Sequence, residues 1–194
     1  MVEIVKFIVA VFLLPVVVAV MQGLGEELAG HGAMRDIFLW GVLSYTLWHL
    51  FVFSFARLFE FFQKILADIF RFSLLAQSVM PRVIPWGTTF LLLVYFIVTH
   101  LFRLKGAEPI VYFLTGFSLA LHVILIAAEL YQEDPLFLKP HYFFFICLTF
   151  IGNVLVVALL LDLNFEKFSF LSFWKHTAGY TVSLYKYLFN KFVF

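Results

Sequence analysis

The stretch from Tyr142 to Leu161 contains no charged side chain. A helix needs roughly 20 apolar residues to cross the hydrocarbon of a bilayer. Comparable runs fill most of the sequence, so that 64% of the 194 residues are hydrophobic and only 13% are charged. The mean hydropathy is +1.03. A soluble domain of this size has too little interior to hide that much apolar surface, whereas a bilayer solvates it. These features predict an all-α fold: a polytopic integral membrane helix bundle of about five transmembrane helices, with amphipathic interfacial helices added. An inner or cytoplasmic-type membrane is the expected location.

The five runs lie at 4–21, 37–56, 85–102, 109–130 and 142–161. Glycines at 23, 25, 30 and 32 follow the first, and Pro81 and Pro85 precede the third. Gly106 and Pro109 separate the third from the fourth, and Pro135 and Pro140 separate the fourth from the fifth. Such residues interrupt helices or mark turns. The N-terminal run reads as a retained span, because an acid, Glu3, sits beside Lys6 and no small-x-small cleavage pattern follows. Residues 1–163 are expected to form one transmembrane domain, and 164–194 a C-terminal segment.

The segment 57–80 is the ambiguous one. From Val42 to Met80 there is neither Gly nor Pro, and one helix over that length would be about 58 Å long. Arg57, Glu60, Lys64, Asp68 and Arg71 recur at spacings of three and four with alternating sign. They form a charged stripe on an otherwise apolar helix, where neighbours can pair, and they are expected to contact lipid or a partner. An interfacial amphipathic helix at 57–80 is favoured over a sixth crossing, because charges inside a bilayer are costly. The 13 Lys and Arg residues divide almost evenly between the two sides of a five-span chain. Letting 57–80 cross as well gathers most of them on one side, so charge bias and helix chemistry disagree.

After Asp162 the sequence turns basic and aromatic. Trp174, Lys175, Lys186 and Lys191 are expected to contact lipid or a partner from an amphipathic tail lying on the membrane surface and broken near Gly179. The Gly-rich stretch around Glu26 and Glu27 reads as a loop outside the hydrocarbon.

Chemistry-bearing patterns are sparse. Net charge is +1 and no basic run tracks phosphates, which argues against nucleic-acid partners. The single cysteine, Cys147, permits no intrachain disulfide. No H-E-x-x-H or nucleophilic constellation occurs. Of the six histidines, His49 and His122 fall at similar depths in two spans, and paired imidazoles can ligate haem b. Histidines that hydrogen-bond between membrane helices are the commoner case. The expectation is therefore a non-catalytic subunit without a cofactor, packed with lipids and other integral membrane subunits. The alternatives are a haem b electron-transfer subunit using His49 and His122, or a small transporter or lipid-handling permease component.

Overall fold

The structure, a computed structural model, describes residues 2–51, 56–71, 80–102, 106–133 and 140–193. All regular structure among them is helical: α1 (Val2–Ala29), α2 (Met34–Phe51), α3 (Ala56–Ile69), α4 (Trp86–Phe102), α5 (Glu108–Glu133), α6 (Pro140–Asn164) and α7 (Phe170–Val193). Among the described residues, three helices are long and apolar enough to cross a membrane: Val2–Ala29, Glu108–Gln132 and Pro140–Asn164. Helix α4, over Trp86–Phe102, is apolar but shorter. The expected second span, 37–56, coincides with α2 to Phe51, and its remainder to residue 55 lies outside the described residues.

The chain divides into two compact units, one of residues 1–32 with 130–194 and the other of residues 33–129. The tail belongs with α1 and α6.

In the first unit, α1 packs against both α6 and α7. At one end Lys6 Nζ lies 3.3 Å from His141 Nδ1, and the rings of Phe7 and Phe143 are 5.9 Å apart. At the other end Glu27 meets the start of α7, which Asp162 at the end of α6 also meets. Helices α1 and α6 are therefore parallel. Helix α7 turns back antiparallel to both, since its Tyr185 hydroxyl donates to the carbonyl of Phe12.

Two expectations are corrected here. Gly23 and Gly25 do not break α1, which continues to Ala29. A Cβ at Gly23 would collide with the Thr177 hydroxyl and come within 3.0 Å of the Thr177 nitrogen. This glycine therefore lets α7 approach closely, as small residues do between membrane helices. The chain turns instead near Gly32, whose φ of 67° favours a residue without a side chain. Gly179 does not break the tail either: α7 is one helix from Phe170 to Val193.

In the second unit, α5 supplies the common surface. A Cβ at Gly116 would strike the Phe38 carbonyl, and one at Gly41 would strike the Phe113 carbonyl. Helices α2 and α5 thus cross backbone to backbone, each using its one glycine in the contact. On another stripe of α5, Ser118 lies against Gly87 of α4, and His122 and Glu129 meet Arg82.

Candidate functional site

Pro85 has no N–H to donate, and the helical turn at 80–83 stops before it. Carbonyls at such a helix end lose their intrahelical donors. His122 supplies one: its Nε2 lies 3.0 Å from the Arg82 carbonyl oxygen, to which it can donate. The Arg82 guanidinium in turn donates to Glu129 at 2.9 Å. Both partners lie seven residues apart on one face of α5, so the broken segment is pinned twice. His122, 1% exposed, therefore has a structural task. Ligating iron through Nε2 would require giving up that bond. His49 lies elsewhere in this unit, its ring 5.9 Å from that of Tyr45. Its Nδ1 is buried without a hydrogen-bond partner among the described residues.

Helix α3 ends at Ile69 with a turn at 70–71, so Arg71 of the expected stripe lies just beyond it, and residues 72–79 lie outside the described residues. Glu60, Lys64, Asp68 and Arg71 are exposed. No ion pair joins them among the described residues. Arg57 lies in the first turn of α3.

The most organised polar chemistry is a junction of α1, α6 and α7. Glu27, only 8% exposed, accepts the Ser169 N–H at 3.0 Å. Its other oxygen is 3.7 Å from His176 Nδ1. Asp162 accepts the Phe170 N–H at 3.0 Å. The Ser169 hydroxyl accepts the Ser172 N–H at 3.2 Å, an ordinary N-cap. Glu26 accepts the Tyr180 hydroxyl at 3.0 Å. Two carboxylates thus serve the N-terminus of α7, where unpaired N–H groups and the positive end of the helix dipole favour negative charge. Sequence reading missed this junction. A signal was present: acids in the last turn of α1 oppose that helix's own dipole, so a second helix start is the natural recipient.

Helix α7 presents its remaining surface in two stripes. Phe170, Leu171 and Trp174 join Leu155, Val156 and Leu159 of α6 around an open groove of about 450 Å³. Its lining is almost wholly apolar, which suits hydrocarbon. Beside it runs a polar arc: Ser172, Lys175, His176, Gly179, Ser183, Lys186 and Asn190. Their spacings of three and four place them on one side of the helix. All but half-buried Ser172 are exposed. Lys191, nearer the end, sits 5.6 Å over the Tyr187 ring.

Among the described residues, no group of His, Cys, Asp or Glu is arranged to hold a metal ion. No family model, curated protein or solved structure matches this chain.

Proposed function

We propose that this protein is a non-catalytic, multi-pass membrane subunit that seats another integral membrane protein against the polar arc of α7. The observation that carries this is the course of α7. The helix is bound along α1 from Glu27 to Phe12, and α1 is a candidate span with exposed Val5, Ile8, Phe12 and Val18. If α1 crosses the bilayer, α7 shares its depth. An arc with two lysines, a histidine, two serines and an asparagine is then poorly matched to lipid chains. Such groups in membrane proteins face protein or water.

The same unit bears on the parity of the crossings. Parallel α1 and α6 enter from the same side, so the chain returns an odd number of times between them. A single crossing by α5, the candidate span between them, would satisfy this; so would crossings by α2, α4 and α5, the five-span arrangement proposed here. A further crossing by α3 would reverse α6, which favours an interfacial amphipathic α3. Helix α7 then adds a sixth crossing in place of the flat tail.

The test is cysteine accessibility in native membranes, on a Cys147→Ser background. Cysteines at Ser183 and Asn190 should resist both water-soluble and lipid-soluble thiol reagents in the native complex, and gain water reactivity after detergent dissociation. Free reaction with the water-soluble reagent at both sites in native membranes would refute a protein-seated arc. Reaction with the lipid-soluble reagent alone would refute it equally.

A further inference from the structure

We infer that the occupant of the arc is a transmembrane helix of a different subunit that presents carboxylates to Lys175 and Lys186; this rests on the partner-seating function proposed above. Two facts about the arc select this chemistry. First, it is one-signed: Lys175, Lys186 and His176 are its titratable groups, and it contains no Asp or Glu. Second, neither lysine has a hydrogen-bond or ion-pair partner among the described residues, and Glu27, Asp162 and Glu26 are already engaged with Ser169, Phe170 and Tyr180.

A second copy of the chain does not supply what is missing. A two-fold axis along the membrane normal would set Lys175 against Lys175 and Lys186 against Lys186. An axis in the membrane plane would set Lys175 against Lys186. Both oppose like charges. Lipid does not fit the whole arc either. The neighbour of Lys186, Tyr185, reaches Phe12, which is about 15 Å along the α1 axis from Val2. Between the lysines lie His176, Gly179 and Ser183, which would face acyl chains. A helix partner satisfies all of these groups. Gly179 admits a close approach, since open space surrounds the position of its missing Cβ. Ser183 and Asn190 offer hydrogen bonds. The lysines are separated by about 16.5 Å of helix rise, so the partner's acids should lie roughly three turns apart.

The experiment compares tagged wild type with Lys175→Arg/Lys186→Arg and Lys175→Glu/Lys186→Glu, extracted from native membranes in mild detergent and sized on native gels. Wild type should run as a larger assembly. The Arg pair should retain it within about twofold, and the Glu pair should lose it at least tenfold. A photo-crosslinking residue at Ser183 in otherwise wild-type protein gives a readout that does not depend on the charge variants folding. Its adduct should map to another membrane protein within a helical turn of an Asp or Glu. Wild type migrating as the lone chain would refute the seating function itself. A wild-type assembly that the Glu pair retains would leave the seating function standing and refute the acidic partner. Adducts to phospholipid, to a second copy, or to residues 33–129 of the same chain would each overturn the inference.

Discussion

The two units of this chain hold their helices together by different means. In the unit of residues 33–129, α2 and α5 touch backbone to backbone at Gly41 and Gly116, with the Phe113 and Phe38 carbonyls directly opposite. In the unit built from α1, α6 and α7, Gly23 makes a close approach, and it faces a side chain, that of Thr177, first. The firmer ties there are polar and terminal, above all Glu27 and Asp162 on the start of α7. The difference shows two answers to one physical problem. Apolar side chains gain little by leaving lipid for one another, so helix association draws on close van der Waals contact and hydrogen bonds instead. The α2–α5 crossing relies on the first, while the start of α7, like the Arg82 ties to His122 and Glu129 in the other unit, relies on the second.

The contrast can be broken most sharply at the glycine crossing. Gly41→Leu should cost roughly 3 kcal/mol or more, because the obstructing atoms are backbone and cannot swing aside. Gly23→Ala should cost less, about 1–2 kcal/mol, since a threonine hydroxyl can rotate but the nearby Thr177 nitrogen cannot. Thermal unfolding in detergent, followed by circular dichroism, measures both. Cys147, buried in α6, adds a local reporter through a thiol-reactive dye. Its labelling should track damage to the first unit and stay near wild type for Gly41→Leu.

Glu27→Leu should come next. It removes a buried acceptor and strands the Ser169 N–H, a loss of about 2 kcal/mol. Cys147 labelling should then begin at lower temperature. Glu27→Gln, which retains an acceptor, should lose roughly half as much. Equal losses for Leu and Gln would mean that the N-terminus of α7 does not depend on this carboxylate.

His122→Leu should cost roughly 1–2 kcal/mol by leaving the Arg82 carbonyl without its donor. The same preparations address haem. Wild-type protein from haem-replete cells should be colourless. A Soret band lost in both His49→Ala and His122→Ala would instead give these histidines a redox role. Lys64→Glu should have the smallest effect, within about 0.5 kcal/mol, because the residue is exposed on α3 and an exposed charge contributes little. Loss of assembly in this variant would show that the stripe meets a partner.

Much of the fold was legible because lipid-facing helices are written as long apolar runs. Residues 109–130 and 142–161 anticipate α5 and α6 within a few positions, and 85–102 anticipates α4. The misreadings share a cause. Gly23, Gly25 and Gly179 resemble breaks when each helix is considered alone. At Gly23 the reason for the glycine is a second helix about 150 residues away in sequence. The lysines and aromatics of the tail match a surface anchor by composition, and composition does not reveal its contacts with Glu27, Glu26 and Phe12. The histidines were half legible. Sequence marks His122 as a buried polar group, but its partner is a carbonyl exposed by a proline break, visible only once α5 is placed beside residues 80–84.

The central claim is that α7 crosses the membrane antiparallel to α1, and the location of the two chain ends tests it most directly. Reporters active on only one side of the membrane can be fused to either terminus of the full-length protein. Both ends should report the same side, with a third reporter inserted in the 165–169 connection on the opposite side. A C-terminal reporter sharing the side of the 165–169 connection, opposite the N-terminus, would show that α7 stays at one surface and would contradict the account.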